Sequence, residues 1–173
     1  ISGNAAAELT ALARKAQIPV TTTLMGLGAF PETDPLALRM LGMHGSVAAN
    51  LAVSHCDLLV SVAARFDDRV TGKISQFAPK AIKAHIDIDP SAIDKSVTTD
   101  IPVVGHVLQV LKSLIGQVKP VERSAWLKQI AQWQEKHPLT YDRQTSDLLP
   151  QHVIEQIYET TGGVLAPAVL HAA

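Results

Sequence analysis

The chain has a single cysteine, few aromatic residues and almost no net charge, and each shortage removes a class of protein. Cys56 cannot pair within the chain, so no disulfide framework holds the fold. Its place between an apolar helix and an apolar strand suggests an ordinary buried thiol in a reducing compartment. Fifteen basic residues against sixteen acidic ones leave a formal charge of −1. That balance offers no global field for nucleic acid or an anionic membrane, and neither is expected as a partner. No apolar run approaches the ~18 to 20 residues of a membrane span, and Ile1-Ser2-Gly3-Asn4 lacks the regions of a signal peptide. A cytoplasmic location is expected. The first residue is not Met and stands directly at a helix-start signal, which reads as a piece of something longer. The seven histidines include no pair at metal-ligand spacing with acidic or cysteine support, so no metal site is expected in the chain. No nucleophile elbow or phosphate-binding lysine loop appears. Gly26-Leu27-Gly28 runs on into Ala29-Phe30-Pro31 without a third glycine or an immediate helix, so the dinucleotide fingerprint is rejected in favour of a tight turn.

What is present is an alternation. The 173 residues are 47% apolar, and a chain of this size buries roughly 70% of the surface its unfolded form exposes, enough for one full domain. Asn4 reads as the N-cap of a helix over residues 5–16 that carries Glu8 early and Arg14 and Lys15 late, as the helix dipole prefers. Ile18 to Thr22 reads as a buried strand. Pro35 to Leu41, started by Asp34, reads as a short helix with proline at its first position, and Val47 to His55 as another. Leu58 to Ala63 and Ala81 to Ile88 contain continuous apolar runs of strand length, the pattern of parallel strands covered on both faces. Ile101 to Val104 is a further strand, followed by Val107, Val110, Leu111, Leu114, Ile115 and Val118 on one helix face. The expected class is therefore α/β, a parallel Rossmann-like sheet with helices on both faces and ligands beyond the carboxyl ends of the strands. Residues 1–120 form this domain, 121–149 a helix and linker, and 150–173 the start of a further domain or a tail.

The candidate site collects at strand ends. Thr23-Leu24-Met25-Gly26, residues 64–72, Asp87-Ile88-Asp89 and Gly105-His106-Val107 should share one sheet edge, with the turn Leu41-Gly42-Met43-His44-Gly45 joining them. A dinucleotide needs backbone NH groups and glycines at its pyrophosphate, a carboxylate for ribose hydroxyls and apolar walls for its rings. In Arg65-Phe66-Asp67-Asp68-Arg69 four charges surround one aromatic directly after an apolar strand. Either they pair with one another or they meet a ligand, and planar guanidinium groups suit two-point recognition of phosphate or carboxylate. Asp87 is a candidate for ribose binding. Asp89, ahead of Pro90, fits a helix N-cap at least as well.

These segments, with His85-Ile86-Asp87-Ile88-Asp89-Pro90 and the extension Val70-Thr71-Gly72-Lys73, closely resemble the acetohydroxyacid synthase (acetolactate synthase) catalytic subunit in residues, order and spacing. The likeness covers residues 1 to 163 and falls on the central domain of these thiamine-diphosphate enzymes. It implies that the parent decarboxylates pyruvate on thiamine diphosphate and condenses the two-carbon unit with pyruvate or 2-oxobutanoate, opening branched-chain amino-acid biosynthesis. It further implies FAD in this domain, without net redox chemistry, and thiamine diphosphate with Mg²⁺ on other domains, so that the fragment alone is inactive. By the same resemblance Thr23, Leu24, Met25, Leu41, Gly42, Met43 and His44 line the FAD. So do Arg65, Asp67, Arg69, Val70, Asp87, Ile88, Gly105 and Val107. Arg69 also holds the carboxylate of the acceptor 2-oxo acid, with Met43 and Asp68 nearby. Ala63, Ala92 and His106 stand where the family usually has glycine, glutamate and aspartate. A homo-oligomeric parent with a regulatory subunit is implied as well. The alternatives are a related thiamine-diphosphate carboligase or oxidase, or a standalone non-catalytic nucleotide-binding module.

Overall fold

The computed structural model describes residues 2–145 and 147–162. It divides into two compact units, Ile1–His137 and Pro138–Ala173. In the first unit helices and parallel strands alternate: α1 (Ala6–Ala16), β1 (Val20–Thr22), β2 (Ala37–Met40), α2 (Val47–His55), β3 (Leu58–Val62), α3 (Asp68–Thr71), β4 (Ile82–Asp87), β5 (Ile101–Val104), α4 (Val107–Gln117) and α5 (Ser124–Lys136). The second unit contains α6 (Pro150–Thr161), opened by its proline and closed by Gly162 in the left-handed conformation. Of the stretch 150–173, expected as the start of a further domain or a tail, residues 163–173 lie outside the described residues.

Two local expectations are corrected. Asn4 does not cap α1: its φ is +46°, not the extended backbone of a cap residue, and Ala5 takes the cap position without a side-chain bond. The segment expected as a helix from Pro35 to Leu41 is instead strand β2, paired in parallel with β1. Asp34 decides this. Its Oδ1 accepts from the Leu36 amide at 2.9 Å, an Asx-type turn, while its Oδ2 accepts from Arg14 Nε at 2.8 Å. The chain then leaves extended, with Leu36 and Leu38 buried and Arg39 exposed. A register shift opposite Val20 and Thr21 and a φ of +66° at Arg39 mark a bulge.

The expected parallel sheet is present as two hydrogen-bonded parts, β1-β2 and β3-β4-β5. Helix α1 joins them, since Leu9 contributes both to the cluster holding Val20 of β1 and to the one holding Val62 of β3. Helices cover both faces. Val62 packs with α1 and α4 around Leu12 and Leu111. Leu59, on the opposite face of β3, packs with Ala49, Ala52 and Val53 of α2 and with Ile130, Trp126 and Trp133 of α5. Cys56 borders that cluster, donates to the Val53 carbonyl at 3.2 Å, and has its thiol pushed up by burial. β3 is followed directly by Ala63, whose φ is +53°. A residue with a Cβ is thus held in the conformation that a glycine adopts freely.

Candidate functional site

The carboxyl ends of β2 and β3 are stitched together through main chain. Met43 N donates to the Arg69 carbonyl at 2.8 Å. Gly42, with φ +90°, lies so close that an added Cβ would stand 2.3 Å from Arg69 O and 2.8 Å from Val70 Cα. Asn50 fixes this glycine from the first turn of α2: its Oδ1 accepts from Gly42 N at 2.7 Å and its Nδ2 donates to Gly42 O at 2.9 Å. Ser46 caps the same helix by accepting from Ala49 N at 3.1 Å. Gly42, Met43, Asn50, Asp68, Arg69 and Val70 line a cleft of about 270 Å³ between the two loops.

Each residue of the charged loop has a distinct place. Arg65 Nη2 pairs with Asp67 Oδ2 at 2.8 Å, both exposed. Phe66 turns inward at φ +57° and meets Phe77 and His85 edge to face. Asp68 opens the single turn α3 and accepts from the Arg69 amide at 2.9 Å. Arg69 is exposed, its Nη1 is 3.9 Å from Met43 Sδ, and it forms no salt bridge among the described residues. Of the two alternatives weighed for this loop, internal pairing occurs at Arg65 and Asp67, while Arg69 is left without a salt bridge among the described residues.

The other expected residues divide by exposure. Thr23 precedes a 3₁₀ turn over Leu24–Gly26, on which Leu24 and Met25 are exposed, Met25 by 81%. Met43, His44 and Ile88 are exposed too, whereas Leu41 is buried in the core. Leu41 can therefore meet a ligand only through its main chain. Val70 and Val107 pack partly against clusters of the fold. Gly105 N donates to Asp87 O at 2.8 Å, binding the ends of β4 and β5 together. Asp87 Oδ1 accepts from Asp89 N at 2.9 Å, and its side chain stays 14% exposed. Asp89 caps the 3₁₀ turn after it, and hydrogen bonds from Ser91 hold its carboxyl below the ordinary aspartate range. Among the described residues no group of His, Cys, Asp and Glu could hold a metal ion.

Asn50 was missed by sequence reasoning. Its signal was available, because an asparagine inside a helix gains nothing from the helix itself and invites a search for an outside partner. Phe66 was read only as the centre of a charged loop, and its inward turn depends on a positive φ that composition does not announce.

A parallel α/β domain with a glycine turn, an arginine without a salt bridge among the described residues and exposed apolar side chains at its strand ends has its candidate site at a sheet edge. Residues 1–114 match the family model described as the thiamine pyrophosphate enzyme central domain, and the chain belongs to that family. It is 40% identical over 167 residues to the acetolactate synthase large subunit of Buchnera aphidicola, covering 94% of this chain and 29% of that protein. It is 47% identical over 161 residues to the mitochondrial acetolactate synthase catalytic subunit of Saccharomyces cerevisiae, covering 86% of this chain and 23% of that protein. With the probable acetolactate synthase large subunit of Methanocaldococcus jannaschii the identity is 46% over 162 residues, covering 92% of this chain and 27% of that protein. The chain thus spans less than a third of the length of these relatives. No helix of the described residues is long and apolar enough to cross a membrane.

Proposed function

We propose that this chain is the central, FAD-holding domain of an acetolactate synthase catalytic subunit, and that Arg69 holds the carboxylate of the acceptor 2-oxo acid at its edge. The observation that carries the reading is the exposed Arg69 guanidinium, free of any salt bridge among the described residues, beside a cleft walled by Gly42, Met43 and Val70. An arginine with no internal counter-ion offers two parallel N–H donors to a planar carboxylate. Orienting that carboxylate lowers the barrier to a condensation of two substrates by removing wasted approach geometries.

The residues present also fit FAD. Leu24, Met25, Met43 and Ile88 expose apolar surface at strand ends, where a flat ring system would cover it. Gly42, Met43 and Val70 wall the cleft beside them, and Asp87, whose Oδ1 is engaged by Asp89 N, keeps a side chain 14% exposed to meet ribose hydroxyls. FAD in this reading contributes structure to the active site without a net redox change. Thiamine diphosphate and Mg²⁺ belong to other domains of the parent, which works as a homo-oligomer with a regulatory subunit in the cytoplasm.

The test uses the full-length parent. Apoprotein should bind FAD with a change in flavin fluorescence and, supplied with thiamine diphosphate and Mg²⁺, form acetolactate from pyruvate. Arg69→Ala should depress acceptor use at least ~10-fold, the scale of a lost charged two-point contact, while pyruvate decarboxylation falls much less. Equal loss in both half-reactions would remove Arg69 from the acceptor site.

A further inference from the structure

Among the described residues four buried side-chain polar atoms lack a hydrogen-bond partner, and three of them are neighbours: Ser61 Oγ and both ring nitrogens of His85. The fourth is Thr21 Oγ1. Ser61 and His85 are register partners on β3 and β4, so their side chains rise from the same face of the sheet on strands about 4.8 Å apart. Asp87, two residues beyond His85, shares that face, and its Oδ2 lies 3.9 Å from His85 Nε2. Its Oδ1 is already engaged by the Asp89 amide. Phe66 covers the imidazole edge to face, with ring centroids 5.0 Å apart and planes at 76°. His85 is only 1% exposed and Ser61 6%. Buried polar atoms are costly when unpaired, and three adjacent ones call for a common partner scheme.

We propose that Ser61, His85 and Asp87 form a hydrogen-bonded file in which His85 is a positioning residue for the Asp87 carboxylate. Ser61 Oγ–H donates to His85 Nδ1, which leaves the proton on Nε2, and Nε2–H donates to Asp87 Oδ2. Neither link is closed in this structure, since Ser61 Oγ and His85 Nδ1 have no partner and Nε2 stands 3.9 Å from Oδ2; closing the latter needs a movement of about 1 Å, and both form as the carboxylate turns to take up the ribose hydroxyls of FAD. One file satisfies all three atoms, fixes the tautomer of His85, and aims a carboxylate from inside the sheet. The residue types match those of a hydrolytic triad, but Ser61 Oγ is out of reach of any substrate, so the file positions and does not react. The inference rests on the reading of the strand-end site as an FAD site.

The experiment is FAD titration of full-length apoprotein by flavin fluorescence, alongside thermal unfolding. His85→Phe should weaken FAD binding about 10-fold, and His85→Gln, which keeps an amide N–H near the Nε2 position, should return it to within about 3-fold of wild type. Ser61→Ala should weaken binding about 3-fold. In an Asp87→Asn background neither His85→Phe nor Ser61→Ala should weaken it further, a coupling that a merely structural role would not produce. Unchanged affinity in His85→Phe overturns the proposal and leaves the FAD reading standing, as does equal weakening in the Asp87→Asn background. Should His85→Phe fail to fold, the Ser61→Ala pair decides by the same two criteria. A wild-type apoprotein that binds no FAD overturns the FAD reading and this inference together.

Discussion

Gly42→Ala tests the main-chain stitching of the site, and Gly28→Ala is its control. Both glycines have positive φ, +90° and +85°, yet a Cβ at Gly28 meets nothing within 4 Å whereas one at Gly42 stands 2.3 Å from Arg69 O. The backbone penalty of an alanine in the left-handed region is about 1–2 kcal/mol, offset by the roughly 0.4–1 kcal/mol that alanine gains from a stiffer unfolded chain. Gly28→Ala should therefore cost about 1 kcal/mol. At Gly42 the Arg69 carbonyl must also retreat by about 1 Å to reach ordinary contact near 3.4 Å, a forced shift of the kind that costs about 1–3 kcal/mol. The same retreat stretches its bond from Met43 N, now 2.8 Å, a loss contained within that cost. Gly42→Ala should thus lose about 2–4 kcal/mol. Urea denaturation of the protein and both variants measures this as a drop in midpoint at unchanged slope, about 1–2 M for a slope near 2 kcal/mol/M. If the two variants agree within about 0.5 kcal/mol, the close approach of the two loops has no energetic weight and the reasoning fails.

Two further predictions concern the frame around the site. Ala63→Gly should raise stability by about 0.5–1 kcal/mol in the same assay, because glycine removes the left-handed strain at φ +53° at a smaller cost in unfolded-chain entropy; an unchanged or lowered midpoint would count against strain at the end of β3. Asp34 is buried, and the Leu36 amide first and the Arg14 side chain second hold its carboxyl below the ordinary aspartate range. A carboxyl with a lowered folded-state pKa contributes stability above the unfolded value, about 3.9, and loses that contribution as pH falls through the folded value. Asp34→Ala should accordingly cost about 1–3 kcal/mol near neutral pH, with the difference from wild type shrinking below about pH 4; a difference constant down to pH 2 would refute the ionic role.

How much of this was legible in the residues depended on whether a signal was local. The apolar runs of β3, β4 and β5 and the faces of α2 and α4 follow from periodicity and burial, and their bounds fall within a residue or two of expectation. The helix expected from Pro35 to Leu41 failed because proline after aspartate fits a helix start and an Asx turn equally well. The choice fell to Arg14, twenty positions upstream, and to the Val20 amide, which donates to the Leu36 carbonyl at 2.8 Å. The separation of β1-β2 from β3-β4-β5 could not be read either, since alternation gives the parallel sense of strands but not which edges pair. The candidate segments after β1, β3, β4 and β5 follow from the strands themselves, whereas residues 41–45 read in the sequence as a turn between helices and in fact leave β2. What joins these segments does not follow. The Asn50 clamp spans eight residues and the Met43–Arg69 bond twenty-six, and neither spacing carries a sequence pattern.

The charged loop shows how local geometry can leave one cation available beside two carboxylates. Had Arg69 paired with Asp67, the exposed bridge would add no more than about 1 kcal/mol of stability and would compete with any incoming carboxylate. Arg65 prevents this by pairing with Asp67 itself. The neighbouring Asp68 turns its Oδ1 to the Arg69 main-chain amide at the start of α3. Residues adjacent on a helical turn project about 100° apart, so the carboxylate that holds the amide is directed away from the guanidinium. Phe66, anchored between Phe77 and His85, keeps the loop from rotating to undo this arrangement. Arg65, Phe66 and Asp68 are therefore the residues on which the availability of Arg69 depends, and of these Phe66, buried between Phe77 and His85, acts on it through the fold alone.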